Sequence, residues 1–445
     1  MKSALRPTAL LVPLLALAGS AFATNPLIMD QFTADPTARV FEGKVYLYPS
    51  HDILATPGRG RPDWFNMEDY HAFSSENLTD WTDHGIIITQ TGVAWAKPDA
   101  FAMWAPDCVT KDGKYYFYFP AILKEGKGFG IGVAIADHPA GPFRPEPNPI
   151  AGVRGIDPCV LLDRDGSAYL FYGARKIFAA KLKPNLLELD GKPAALDNLP
   201  TQGLLEGPFA FERNGIYYLT YPHVENKTER IEYAMSDHPL GPYKPAGVLM
   251  DESPTGCWTI QQSIVEYRGE WYMFYHDRDL SPNFDKARSV RADRLYFNAD
   301  GTMRKVIPTL RGVGLVNATE KIQIDRYSAV SDGSVAVEFL DPADVRQGWK
   351  VSLPGKRSWV RFNEVDFGSG GQRKVQVRAQ SRDGGTIEIH ADAVDGPVVA
   401  RVAFDASRDW QLEQAAASSP PSGVHDLIIV STGDKPVELD WLTFE

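Results

Sequence analysis

"TADPTARVFEGKVYLYPSHD" (Thr33–Asp52) decides the fold. Ala38 and Val40 lie on one limb, Glu42-Gly43-Lys44 supply a turn, and Val45-Tyr46-Leu47-Tyr48 return, so the stretch reads as two antiparallel strands. The pattern recurs four times, as "WAPDCVTKDGKYYFYF" (104–119), "GIDPCVLLDRDGSAYLFY" (155–172), "LLEGPFAFERNGIYYLTY" (204–221) and "IQQSIVEYRGEWYMFY" (260–275). Each copy has an apolar strand, a turn at Gly43, Gly113, Gly166, Gly215 or Gly269, and a second strand rich in Tyr and Phe. A third strand and turn chemistry follow, most plainly in the near-identical "IGVAIADHPAGPFRPE" (131–146) and "IEYAMSDHPLGPYKPAG" (231–247). A unit of about fifty residues with three or four antiparallel strands is the period of a propeller blade. Five copies predict an all-β chain with a five-bladed β-propeller over residues 24–320. A sandwich of many short strands supplies no reason for that period.

In a propeller the first strand of each blade runs along the central channel, so residues at its start converge. The first blade offers Asp35, the third Asp157 and the fourth Glu206, at what reads as the same offset from the repeat's glycine. The second has Asp107 nearer its turn, and the fifth has Gln261, Gln262 and Ser263. An acid beside Pro or Gly often only caps a turn. Three at one channel mouth are different, because crowded carboxylates repel and one of them holds its proton near neutral pH. A protonated carboxyl and an ionised one are the complement that glycosidic hydrolysis requires. No G-x-S-x-G elbow, H-E-x-x-H, P-loop or dinucleotide fingerprint competes with this reading.

Composition narrows the remaining classes. The 445 residues carry 46 basic and 57 acidic side chains, 44 % hydrophobic and 11 % aromatic residues. That suits packed domains and sugar-facing surfaces, and argues against nucleic acid or an anionic membrane as partner. Residues 1–23 read as a secretory signal, with Lys2 and Arg6, an apolar run from Ala9 to Ala18 and Ala21-Phe22-Ala23, which predicts a secreted or periplasmic protein. The run is too short to span a bilayer. Losing Lys2 and Arg6 leaves 44 basic against 57 acidic groups, a net charge of −13. Cys108, Cys159 and Cys257 allow at most one disulfide and read as buried apolar filler.

The motifs "ADPTARVFEGKVYLY", "WAPDCVTKDGKYYFY", "GIDPCVLLDRDG" and "LLEGPFAFERNGIYYLTY" resemble glycoside hydrolase family 43, five-bladed propellers related to arabinanases and levansucrases. The resemblance implies an inverting enzyme in which Asp35 is the general base, Glu206 the general acid, and Asp157 raises the proton affinity of that acid and orients it. It also implies that His276 in "FYHDRD" faces the channel, where several members hold calcium through His and waters. No cofactor is required for the chemistry. Around the acids, Trp104 and Asp107 of "MWAPD" are expected to contact substrate, with Arg278 or Arg294 pairing the acids and Phe32 and Trp64 lining the pocket. The expected activity is secreted exo-hydrolysis of α-L-arabinofuranosyl or β-xylosyl residues from plant polysaccharide fragments. The alternatives are a galactosidase or exo-galactanase of the same fold, and a sugar-binding propeller without turnover. Intact Asp35, Asp157 and Glu206 argue against the last.

From residue 321 onward the fifty-residue period stops and alternating strands continue, in "SWVRFNEVDFGSGG", "KVQVRAQSRDGGTIEIHAD", "GVHDLIIVSTG" and "VELDWLTFE". These predict a β-sandwich over residues 321–445. Through "VDFGSGG", "GGTIEIHAD", "GVHDL" and "ELDW" it resembles carbohydrate-binding module family 6. That resemblance implies a structural calcium at Gln323, Asp325 and Asp440, with Gln323 standing where an acid is usual. Xylan-binding members clamp a sugar between two aromatics. Trp349 could be one of them, but the loop from Ala415 to Gly423 has no aromatic partner, so the module is expected chiefly to pack on the propeller.

Overall fold

The alternation of small or β-branched with aromatic residues in each repeat has its structural counterpart in a ring of five sheets. The computed structural model describes residues 25–173, 175–331, 335–343, 348–355 and 357–445; the leader expected over 1–23 lies outside them. Blade one has strands Phe32–Phe41, Lys44–Asp52, Asp69–Ser75 and Thr82–Thr89, paired in that order. Blade two has Asp107–Lys111, Lys114–Ile122, Phe129–Ala136 and Arg144–Pro145, and blade three has Ile156–Leu162, Ala168–Gly173, Ile177–Leu182 and Ala194–Ala195. Blade four runs through Phe209–Arg213, Ile216–Val224, Glu229–Ser236 and Lys244–Met250. Blade five has three strands, Ser263–Tyr267, Glu270–Asp277 and Ser289–Leu295. The chain from Asn25 to Thr33 runs beside the last of these, with Leu27 N–H donating to Val290 O at 2.8 Å and Thr33 N–H to Arg288 O at 2.9 Å, and so closes the ring.

The inner strands are tied to one another around the whole channel. Thr37 Oγ1 donates to Pro106 O (2.7 Å), Val160 N–H to Asp107 Oδ2 (2.6 Å), and Ala210 N–H to Cys159 Sγ (3.2 Å). Gln262 Nε2 donates to Gly207 O (3.2 Å), and Ala38 N–H returns to Ser263 Oγ (2.9 Å). Between blades the aromatic second strands interlock, as where Tyr48, Tyr70, Phe117 and Phe119 fill the space between blades one and two. All three cysteines are buried and free.

The structure corrects the register of the repeat. Pro36, Pro106 and Pro208 each stand seven residues before the turn glycine, Gly43, Gly113 and Gly215, whereas Pro158 stands eight before Gly166 because that turn is longer. In this frame Asp35 and Asp157 share one position with Gly207, and Glu206 lies one residue earlier. The shared position is a bulge in which the chain takes the left-handed conformation, φ 44° at Asp35, 55° at Asp157 and 52° at Gly207. Asp tolerates that conformation better than most side chains, and the bulge turns it out of the ladder towards the mouth.

The C-terminal part is a sandwich of two six-stranded sheets around Val360, Phe362, Ile389, Leu427, Val377 and Leu442. Its first strand, Val316–Asn317, pairs with Val365–Asp366 and so precedes residue 321. Arg294 pairs with Glu364 of the sandwich, Arg311 Nη2 donates to Asn363 O at 2.8 Å, and Arg326 Nη1 donates to Asn25 O at 3.0 Å. Arg294 is therefore an interdomain residue and does not reach the acids. Trp349 stacks on Phe339 of the neighbouring strand with ring centroids 4.0 Å apart, and is 37 % exposed. No described helix is long and apolar enough to cross a membrane.

Candidate active site

At one mouth of the channel lies a pocket of about 170 Å³. Asp35, Asp157, Glu206, Glu229, Gln261 and Arg288 supply its polar lining, and Trp64, Phe65, Trp104 and Trp258 its aromatic walls. The three acids expected from the sequence are thus brought together. Glu229 and Arg288 were not anticipated.

Asp35 sits in the densest network. Arg288 Nη1 donates to Asp35 Oδ1 at 2.8 Å, and Arg288 Nη2 and Ser50 Oγ donate to Oδ2 at 3.1 and 2.8 Å. Arg288 also grips Asp52 through Nε and Nη2, both at 2.9 Å, and its own N–H donates to the same carboxylate at 2.8 Å. A buried guanidinium held between two carboxylates keeps its charge firmly, and the Phe65 ring lies 4.9 Å from it.

Asp157 differs. It is 4 % exposed and, among the described residues, has no cation bonded to it and accepts one hydrogen bond, from Gly207 N–H at 3.0 Å. Burial first, then the charges of Glu206 and Asp35, push its carboxyl well above the usual carboxylate range. Glu206, one residue before the left-handed Gly207, reaches the centre with its longer side chain; burial raises it, Asp35 adds to the rise, and Glu229 and Arg288 oppose it. Gly173 makes room for this arrangement, since a Cβ there would meet Glu206 Cα at 3.2 Å and Glu206 Cβ at 3.3 Å.

His276 accepts a hydrogen bond at Nδ1 from Asp35 N–H (3.0 Å), so Nε2 carries the ring proton and donates to Thr259 O (3.0 Å). Burial and the Arg288 charge push it down to about 3, and it stays neutral. With both ring nitrogens engaged by the protein, His276 does not fit the expected role of calcium ligand; it positions the backbone of Asp35.

Other expected contacts lie elsewhere. Asp107 is fully buried below the pocket, where Arg39 donates to Oδ1 and Oδ2 at 2.8 and 2.7 Å; it is a channel ion pair and not a substrate contact. Arg278 turns away to Thr255 O, and Phe32 pairs in register with Asp52 outside the pocket wall. Trp64 and Trp104 do line it; Trp104 packs on Phe129 at 4.7 Å, and its buried Nε1 has no acceptor among the described residues. In the sandwich, Gln323 is exposed, while Asp325 and Asp440 are buried. Asp440 is paired with Arg378, and its charge adds to burial in raising Asp325. Two buried carboxylates that feel one another suit a cation, but Arg378 already supplies one positive charge there. His51, Asp69 and His71 also gather their ligand atoms within 4.8 Å. They lie on the face of strand Lys44–Asp52 opposite to Ser50 and Asp52, and carboxylates already bond them, Asp69 to His51 and Asp83 to His71.

The missed residues share a place in the fold. Glu229 opens the third strand of blade four, Arg288 immediately precedes that of blade five, and Phe129, which backs Trp104, opens that of blade two. The start of the third strand also borders the mouth, and charge or aromaticity there was the available signal.

A propeller whose inner strands deliver a salt-bridged carboxylate and two carboxyls with raised proton affinity to one aromatic-walled pocket defines a glycoside hydrolase. The comparisons agree: residues 23–303 match the model of glycosyl hydrolases family 43, and the chain belongs to that family. Residues 341–445 match the carbohydrate binding module (family 6). Xylosidase/arabinosidase 43A of Humicola insolens is 36 % identical over 326 residues, covering 62 % of this chain and 97 % of that protein. A family 43 β-xylosidase/α-arabinofuranosidase from a compost microbial metagenome, solved with xylotriose in a calcium-free form, is 35 % identical with a TM-score of 0.58, over 64 % of this chain and 98 % of that one. The arabinoxylan arabinofuranohydrolase of Bacillus subtilis, solved with cellotetraose, is 26 % identical with a TM-score of 0.57, over 94 % of this chain and 97 % of that one.

Proposed function

We propose that this glycoside hydrolase removes single α-L-arabinofuranosyl or β-xylosyl residues from the ends or branches of xylan-type chains, with inversion at the anomeric carbon. The observation that carries the reading is the contrast between Asp35, clamped by Arg288 and Ser50, and Glu206, raised by burial, which line one small pocket from non-adjacent blades. Asp35 accepts the proton of a water as that water attacks the anomeric carbon, and Glu206 gives its proton to the departing oxygen. Asp157, held neutral by burial, Glu206 and Asp35, adds no charge beside Glu206, so the acid that raises Glu206 is Asp35 and not, as the resemblance implies, Asp157, which here bonds Gly207 N–H next to Glu206. Trp64, Phe65, Trp104 and Trp258 present apolar ring faces to the sugar, and the pocket's size suits one sugar unit better than a chain. The names of the relatives support pentose specificity. Turnover of aryl α-L-arabinofuranosides or β-xylosides over aryl β-galactosides tests it; preference for the galactoside would refute it.

The chemistry needs no metal, and calcium at Asp325 and Asp440 would be structural. We also infer that residues 1–23 direct export; the mature protein, purified from its natural host, should begin at or near residue 24.

A further inference from the structure

One buried acid has no task in this scheme. Glu229 is 2 % exposed and borders the pocket beside Glu206. Ile260 N–H donates to its Oε2 at 2.8 Å and fixes the carboxyl, while Oε1 is buried and receives no N–H or O–H from any donor group among the described residues, and the side chain to which the carboxyl is hydrogen-bonded is Glu206. A buried carboxylate oxygen that receives no donor is costly on an anion, and two carboxyls can share a hydrogen bond only if one of them carries the proton. The surroundings favour the neutral acid. The titratable groups facing Glu229 are two further acids, Glu206 and Asp157, the segment from Trp258 to Gln261 that packs on it carries no ionisable group, and the pocket's cation, Arg288, is bound to Asp35 and Asp52. Burial and those two acids push Glu229 well above the ordinary carboxyl range.

We propose that Glu229 is a positioning residue for the general acid, a neutral carboxyl whose Oε1–H is offered to Glu206 and stabilises the carboxylate that remains after proton transfer. This rests on Glu206 being the acid. As the glycosidic bond breaks, the Glu206 O–H bond breaks and the proton joins the leaving oxygen; Glu229 keeps its own proton and only donates a hydrogen bond. It thereby opposes the rise that burial and Asp35 impose on Glu206, so that the acid is strong enough to give its proton up.

Two variants of similar volume separate this from a packing role. In Glu229→Gln the Ile260 N–H holds the amide oxygen, which leaves the NH₂ to donate to Glu206. In Glu229→Leu no donor remains. For Glu229→Leu we expect the basic limb of the kcat/KM profile to move up by about one pH unit. Turnover of an alkyl glycoside of the released sugar should fall ~10-fold or more, while the dinitrophenyl glycoside, which needs little acid assistance, is nearly unaffected. Glu229→Gln should keep the wild-type limb and leaving-group dependence. Equal losses in both variants with the limb unmoved, tracking a lowered Tm, would overturn the proposal, as would a shifted limb in Glu229→Gln alone. Failure of the underlying reading shows elsewhere, in a Glu206→Gln variant that still cleaves the alkyl glycoside at the wild-type rate.

Discussion

Asp35 and Asp157 occupy the same bulge in different blades, yet their partners give them opposite characters. Asp35 faces a guanidinium and a hydroxyl; Asp157 faces one backbone N–H and two other acids. Replacing Asp35 by Asn or Glu206 by Gln should therefore lower turnover of a substrate with a poor leaving group by about 10²–10⁴-fold or more, measured by steady-state kinetics, with the circular dichroism unchanged. Asp157→Asn should behave differently. A carboxyl raised in the folded state opposes folding between its unfolded pKa and its folded one, because the unfolded chain ionises and the native site does not. Asn keeps the acceptor for Gly207 N–H and has no such cost. Its Tm should exceed that of the wild type by a few degrees near pH 7, and the gain should vanish as pH falls to about 4. A gain that grows towards low pH would contradict the assignment.

The elements that deliver these residues were legible because a hairpin is a local object. Gly43, Gly113, Gly166, Gly215 and Gly269 punctuate it, and Tyr and Phe mark the return strand that packs between blades. Position within the hairpin was less legible: counting from the glycine put Glu206 level with Asp157, whereas counting from the proline puts Gly207 there, a distinction that matters only once the bulge is seen. Arg288 and Glu229 escaped because third strands follow loops of unequal length, so their distance from the channel cannot be counted along the chain. Asp107 was misplaced for the same reason as Glu206, since one residue past Pro106 its side chain drops into the channel and meets Arg39. The element-scale prediction concerns Gly173, the end of a strand that touches no substrate. Gly173→Ala would force its Cβ against the backbone of Glu206 and should lower kcat/KM about tenfold with Tm little changed. Wild-type kinetics would show that blade four yields without disturbing the acid.

At the scale of the whole molecule, the propeller and the sandwich are joined by polar contacts: Arg294 with Glu364, Arg311 with Asn363, and Arg326 with Asn25. Glu364 is partly buried, so Glu364→Ala should cost about 1 kcal/mol and lower Tm measurably in differential scanning calorimetry, while kcat/KM at 25 °C stays at the wild-type value. A change in specificity would mean that the sandwich reaches the pocket. The two-domain outline could be read from the end of the fifty-residue period, but these contacts depend on how the domains meet and leave no trace in either repeat. The whole-molecule geometry also bears on mechanism. Asp35 and Glu206 come from non-adjacent blades of a closed ring, and the proposed mechanism requires a water between Asp35 and the anomeric carbon. Inverting enzymes need their two carboxyls roughly 6.5–9.5 Å apart for that water, against about 5–5.5 Å for direct attack. Proton NMR of the first sugar released, recorded before mutarotation, measures the outcome directly. The anomeric configuration should be opposite to the substrate's; a retained configuration would mean that Asp35 attacks the sugar itself and would contradict the mechanism.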